Sequence, residues 1–247
     1  MTARRWAGNA GSVGTMGRTA TKMLDWVQKL RRMVSPPLEG FHGDTYLLAL
    51  ADSVLAGCDW FVETGTHAGT TLAYVARTHP HLNCLSCEPN GELRKIAERA
   101  TEDYDNVTIF PMLSQDFLKV FEKQYPELPK RRVFFWLDAH GYGFRWPLLE
   151  EIKHVTRRFP SAYIIIDDFR VPGRPEFGFD EYDGQVCDFD YVKESIEPGT
   201  TYRRYYPAYT EHTSSYHPLR GWVLFDIGHE RPLELPVGFE DKYRCVD

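Results

Sequence analysis

Phe61-Val62-Glu63-Thr64-Gly65-Thr66-His67-Ala68-Gly69-Thr70-Thr71 is the stretch that decides the fold. An apolar run ends in an acid, two glycines follow four residues apart, and Thr70 opens a helical pattern. A strand that turns sharply into a helix through glycines is the opening unit of a doubly wound α/β domain. Bare backbone there lets a ligand press against the mouth of a parallel sheet. The spacing is not that of a dinucleotide fingerprint, which needs a middle glycine under a pyrophosphate; that place is held by His67. The Glu63 carboxylate would repel phosphate. The loop suits a ligand with positive charge and no phosphate, and a purely structural glycine turn is the competing reading.

Working outward, the alternation of short apolar runs with amphipathic stretches continues on both sides. Trp60–Glu63 reads as the first strand and Thr70–Arg77 as its helix. Leu82–Glu88, Val107–Pro111, Val133–Asp138 and Tyr163–Asp167 read as further strands. Helices are expected over Glu92–Ala100, from about Gln115 to Tyr125, and from Pro147 to Phe159. Thr201–Tyr206 and Gly221–Ile227 close the pattern with no room for a crossover helix, so they form an antiparallel hairpin. The expected fold is an α/β, doubly wound, mostly parallel seven-stranded sheet with a C-terminal hairpin. The polar stretch after Asp168 reads as a loop, with a short helix over Tyr191–Ile196.

Upstream, Asp44 is placed to cap a helix through Leu47, Leu48, Val54 and Leu55 that stops at Gly57. A further helix from Thr21, with Met23, Val27, Leu30 and Val34 on one face, ends at Ser35-Pro36-Pro37. It either covers one side of the sheet or serves as a lid or membrane-surface helix. Residues 1–20 read as a flexible basic segment, 21–58 as helices covering the sheet, and 59–247 as the ligand-binding domain. With 247 residues and 43% hydrophobic content, one α/β domain with a substantial core fits, and two would be cramped.

The net charge of −6 argues against nucleic acid as a partner. Residues 1–33 nevertheless carry Arg4, Arg5, Arg18, Lys22, Lys29, Arg31 and Arg32 against Asp25 alone. No apolar run reaches the length of a membrane span. No apolar stretch follows Arg4-Arg5, so a secretory signal is not expected, while the basic, acid-poor start leaves a transit peptide open. Five cysteines, Cys58, Cys84, Cys87, Cys187 and Cys245, form no disulfide framework and point to a reducing, cytoplasmic setting. Cys84-Leu85-Ser86-Cys87 falls in an apolar strand and reads as packed core thiols.

In a doubly wound sheet, ligands bind beyond the carboxyl ends of the strands. Those ends are Glu63, then Glu88 twenty-five residues later, Ser114-Gln115-Asp116, Asp138-Ala139-His140 and Asp167-Asp168. An acid at Glu88 is placed to accept hydrogen bonds from ribose hydroxyls. Ser114 fits either a ligand contact or a helix N-cap, and Asp116 fits the positive end of a helix dipole. Asp138, Asp167 and Asp168 gather three carboxylates at one edge, and a hard divalent cation such as Mg²⁺ is the natural counter-charge. Salt bridges to Arg145 or Arg170, or capping of the loops that follow, are the alternatives. His140 is a candidate general base, metal ligand or plain loop residue, and His67 a lining residue. Of the aromatic residues Tyr202, Tyr205, Tyr206, Tyr209, Tyr216 and Trp222, part must be core. The loop members fit an acceptor wall or a homodimer face.

Taken together, Glu63-Thr64-Gly65-Thr66-His67-Ala68-Gly69, Cys87-Glu88-Pro89-Asn90, Ser114-Gln115-Asp116, and Leu137-Asp138-Ala139-His140 with Ile166-Asp167-Asp168 resemble the class I S-adenosylmethionine-dependent methyltransferases. The resemblance is strongest to the metal-dependent O-methyltransferases of the catechol and bacterial sugar types. It covers roughly residues 60–170, and its first two segments are common to many methyltransferases. It implies a Rossmann-like fold, S-adenosylmethionine as cofactor, Mg²⁺ or another divalent cation, and a small hydroxylated acceptor. By this likeness Glu63 and Gly65 face the methionine end of the cofactor, Glu88 holds the ribose, and Ser114 and Gln115 flank the adenine, with Thr64, Thr66, Gly69 and Thr70 also binding the cofactor. Asp138, Asp167 and Asp168 would hold the metal, with His140 and Asp138 at the reacting centre. The chain departs from both types, having Gly141 where the catechol enzymes place a lysine and His140 where the sugar enzymes place an aspartate. Two other classes fit less well, a nucleotide-cofactor oxidoreductase and a non-catalytic binding domain.

Overall fold

The computed structural model describes residues 40–140, 146–211 and 219–246. The expected helix from Thr21, the basic segment 1–20, Gly141, Gly143, Arg145 and Tyr216 lie outside them. The sheet is built on β1 (Trp60–Thr64) and β4 (Val133–Leu137), both buried at every position. Such continuous apolar runs belong to strands covered on both faces. β2 (Asn83–Cys87), β3 (Val107–Phe110) and β5 (Ala162–Ile166) complete the parallel part. The small hairpin β6 (Glu181–Tyr182) and β7 (Gln185–Val186) stands apart from it. β8 (Tyr202–Pro207) and β9 (Val223–Ile227) pair antiparallel, and β9 inserts beside β5.

An eighth strand, β10 (Tyr243–Val246), pairs antiparallel with β8 at the sheet edge, giving the order β10-β8-β9-β5-β4-β1-β2-β3. The seven-stranded expectation lacked it because the segment is four residues long and only Tyr243 is buried. The β6–β7 hairpin was read as loop, although it turns through Asp183-Gly184. Both residues have positive φ, 53° and 77°, as a two-residue type I′ turn requires.

Helices α1 (Thr45–Leu55), α2 (Thr70–Thr78), α3 (Gly91–Ala100), α4 (Ser114–Gln124) and α5 (Leu148–Arg158) connect these strands. A short α6 (Phe189–Val192) follows β7. α2 packs with α3, and α4 with α5. Right-handed crossovers produce this two-layer cover when strand order reverses, and here it reverses between β1 and β4. That reversal opens the crevice at the sheet's carboxyl edge.

Asp44 caps α1 by accepting from the backbone N–H groups of Tyr46 and Leu47 at 3.0 and 3.2 Å. Its other oxygen accepts from the buried Tyr209 hydroxyl, which in turn accepts from Trp222 Nε1 at 3.1 Å. Tyr205, Tyr206, Tyr209 and Trp222 are thus core residues, and the aromatic cluster is largely structural. α1 is also tied to α2. Asp52 accepts from Tyr74 Oη at 2.7 Å and sits 2.8 Å from His79 Nε2.

On α5, Glu151 is swallowed with Leu148, Ile152 and Val155. Burial pushes its carboxyl up to about 7 from an ordinary 4.5, although the Ser114 and Thr64 hydroxyls beside it pull the other way. Between those two values the folded protein holds a proton that the unfolded chain has released, so stability falls as pH rises through that window. Glu151→Gln removes this dependence. In urea unfolding, the stability of the variant relative to the native chain should rise by a few kcal/mol between pH 4.5 and 7.5; an unchanged difference would mean a solvated carboxyl. Asp44→Ala should cost roughly 2–4 kcal/mol, from the lost cap and the stranded tyrosine hydroxyl, read as a lower urea midpoint with an unchanged slope.

Candidate active site

The loop after β1 is shaped by two close approaches. Gly65 has φ +83°, and a Cβ there would lie 2.6 Å from the Asp138 carbonyl oxygen. Gly69 has φ +79°, and a Cβ there would lie 2.9 Å from Ala97 Cα in α3. Both glycines are demanded by packing against protein. Gly65 also fronts the cleft, whereas Gly69 serves helix packing. The loop is clamped to the end of β2, where Thr66 N donates to Cys87 O at 3.0 Å and His67 N to Glu88 Oε2 at 2.8 Å. Glu88 Oε1 accepts from Asn90 N at 2.9 Å. Its two oxygens are therefore oriented by backbone donors, each with a lone pair to spare.

These elements surround a cleft of about 690 Å³, within the range of cofactor sites. Glu63, Gly65, Thr66, Thr70 and Glu88 line one side, and Ser114 and Gln115 another. Asp138, His140, Asp167 and Asp168 form the far end. Thr64 and Gly69 do not line it. Thr64 is the last residue of a fully buried strand, and its hydroxyl faces Glu151 beneath the cleft. Ser114 begins α4 and is buried, and Asp116 lies exposed in the first turn, as expected of a dipole partner.

Glu63 is 2% exposed. It accepts from Ser86 Oγ at 2.6 Å, and Ser86 lies 2.5 Å from Thr66 Oγ1. Burial pushes its carboxyl up to about 8, with the nearby Glu88 charge adding to this. A cation entering the cleft beside Glu63 would reverse that effect and favour the ionised form.

At the ends of β4 and β5 the carboxylates divide into unlike partners. Burial, then the charges of Asp167 and Asp168, push Asp138 well above the usual range. Burial acts on Asp167 in the same direction, but His42, with Nε2 2.6 Å from Oδ2, acts together with the Asp168 backbone N–H and the Arg220 charge to draw the carboxyl down. Asp168 is pushed to about 7 by burial and by Asp167. Its backbone is left-handed, with φ 49°, and Oδ1 sits 3.0 Å from Arg220 Nη1. The salt bridge weighed against a metal thus exists at Asp168, with Arg220, while Arg170 pairs with Asp188; Arg145 lies outside the described residues. Donor atoms of His42, Asp138 and Asp167 lie within 4.8 Å of one another, with Asp168 outside the group. Asp167 Oδ1 is buried with no hydrogen-bond partner. A divalent cation fits this donor set.

His140 also meets the segment after β5. His140 Nδ1 lies 3.1 Å from Tyr182 Oη and 3.7 Å from Asp180 Oδ2, and Trp146 packs edge-on to Tyr182 with ring centres 4.8 Å apart. Asp180, Tyr182, Arg220, Glu151 and His42 were not picked out as site residues from the sequence. The Asp183-Gly184 turn was the available signal for Tyr182. Nothing in the linear pattern brings His42 to a strand end 125 residues away.

No protein-family model and no curated protein sequence matches this chain. Among solved structures the fold is similar to the O-methyltransferase TomG from Streptomyces achromogenes, involved in tomaymycin synthesis and bound to SAM. The TM-score is 0.54 at 17% identity, over 83% of this chain and 89% of that one. It is similar also to an O-methyltransferase from Bacillus cereus in complex with SAH, at TM-score 0.52 and 17% identity, over 83% and 90%. Cofactor-bound Rv0187 from MTB gives TM-score 0.53 at 15% identity, over 83% and 97%. What the chain shares with these proteins is the Rossmann-like methyltransferase fold.

Proposed function

We propose that this protein is an S-adenosylmethionine-dependent O-methyltransferase, assisted by a divalent cation, that acts on a hydroxyl of a small acceptor. A sugar or other polyol is the first choice of acceptor and a phenolic compound the second. The observation that carries this reading is the cleft's lining by Glu63, Glu88 and Asp138 at the switch point of a methyltransferase-type sheet. Such a lining favours a ligand with ammonium and sulfonium charge. A pyrophosphate would instead meet the Glu63 and Glu88 carboxylates.

S-Adenosylmethionine supplies a methyl group on a cationic sulfur, and a divalent cation makes a bound hydroxyl more acidic. The chain's part is placement. Glu88, braced by His67 N and Asn90 N, accepts the ribose hydroxyls. Glu63 answers the positive charge at the methionine end, and Ser114 and Gln115 flank the adenine. Asp138 and Asp167 hold the cation, and His140 takes the acceptor proton. The Tyr182 contact orients the His140 ring. Fixing both reactants in line is the larger part of such catalysis.

Calorimetry with S-adenosylhomocysteine tests the cofactor. Glu88→Ala should weaken binding by roughly 10- to 150-fold, equivalent to about 1.5–3 kcal/mol for hydrogen bonds to a charged group. A preference of the native protein for NAD over S-adenosylhomocysteine would sink the proposal. With an acceptor found by screening sugars and catechols, EDTA should abolish release of S-adenosylhomocysteine and a divalent cation should restore it. His140→Ala should lower kcat by roughly 10²–10⁴ with S-adenosylhomocysteine affinity retained; a loss of only a few fold would make His140 a wall residue.

A further inference from the structure

We infer that His42 is a metal ligand of this chain, completing with Asp138 and Asp167 a site of one nitrogen and two carboxylates that selects a first-row transition cation over Mg²⁺. The inference rests on the cation-assisted reading above and deepens it.

The donor geometry is the first ground. His42 Nε2, a carboxylate oxygen of Asp138 and one of Asp167 lie mutually within 4.8 Å, close enough to share one ion. Asp167 is 5% exposed, and its Oδ1 has no partner. Charge is the second ground. With Asp168 answered by Arg220 at 3.0 Å and His42 a neutral imidazole donor, the two negative charges of ionised Asp138 and Asp167 balance a divalent cation. The third ground is the backbone that delivers the imidazole. Phe41, His42 and Gly43 are successively left-handed, with φ of 53°, 59° and 67°. Two of these residues carry side chains, and such conformations cost about 1–3 kcal/mol each, persisting where the surroundings over-determine them. Phe41 supplies the anchor. It is fully buried, edge-on to Trp136 with ring centres 4.9 Å apart, and its N–H donates to Thr71 Oγ1 at 3.2 Å. The strained turn thus presents His42 to the ends of β4 and β5.

Imidazole nitrogen changes which ion the site prefers. Mg²⁺ favours oxygen and gains little from a histidine, whereas Mn²⁺, Fe²⁺ and Co²⁺ bind imidazole well. Three protein donors on a six-coordinate ion leave positions open, and the His42 side chain is 30% exposed, so the open side is accessible from the cleft. An acceptor hydroxyl can occupy it.

Electron spin echo spectroscopy of Mn²⁺ added to the native protein tests the assignment, because a coordinated imidazole imprints a ¹⁴N modulation. The modulation should be present, should survive His140→Ala and His67→Ala, and should vanish in His42→Asn, a residue that tolerates a left-handed backbone. In calorimetry His42→Asn should weaken Mn²⁺ by about tenfold or more and change Mg²⁺ affinity far less. Thermal unfolding checks that the variant is folded. Should it not fold, anomalous diffraction at the manganese edge of native crystals decides, with the ion expected within about 2.3 Å of His42 Nε2. Manganese bound without ¹⁴N modulation, or modulation that persists in His42→Asn, overturns the inference. Failure to bind Mn²⁺ overturns it too, and S-adenosylhomocysteine binding in the same sample would leave the cofactor reading standing. Modulation in a protein that ignores S-adenosylhomocysteine would do the reverse.

Discussion

The constraint on which the cleft depends is the contact between Gly65 and the carbonyl of Asp138. With a side chain at residue 65 the loop after β1 could not lie against the end of β4, since even a Cβ would fall 2.6 Å from that oxygen. The contact joins the two halves of the sheet at the point where strand order reverses. It sets the loop that carries Thr66 and His67, and through them the link to Glu88. It also fixes the start of the segment that carries Asp138 and His140. The two ends of the cleft share one hinge point.

Around that point the protein distributes negative charge by giving each carboxyl a different answer. Glu63 is met by a serine hydroxyl and burial, Glu88 by two backbone N–H groups, Asp167 by an imidazole and Asp168 by a guanidinium. Asp138 is pushed well above the usual range, by burial first and then by the charges of Asp167 and Asp168. Like charges so close are tolerable because few are answered in the same way, and because burial pushes Glu63 up to about 8 and Asp138 well above the usual carboxylate range.

The parallel core was legible because its signals are local. Phe134-Phe135-Trp136 can only be an interior strand, Asp44 caps the helix it precedes, and Gly65 and Gly69 bracket one turn. β10 was not legible, since Tyr243-Arg244-Cys245-Val246 buries a single side chain and owes its pairing to β8. In the site, Glu88, Ser114, Asp138 and Asp167 could be named because strand ends sit at known places in a doubly wound sheet. His42 and Arg220 could not, because each meets its partner through tertiary packing across long sequence separations. Gly69 shows the opposite failure: a glycine in a ligand loop proved to answer a neighbouring helix, Ala97 in α3.

The Asp44–Tyr209–Trp222 chain has a consequence for how the protein is made. Its carboxylate and phenol are 165 residues apart, and β9, which separates β8 from β5, comes late in the chain. On a ribosome α1 emerges early with its cap already bonded, yet the outer oxygen of that cap waits for most of the chain before it is buried. β5 likewise waits with an open edge until β9 arrives. Contacts of such long sequence separation are reached slowly, and an unpaired apolar strand edge is a site of association with other chains. The interval between the synthesis of Ile166 and that of Ile227 is therefore when this fold is most exposed to misassembly.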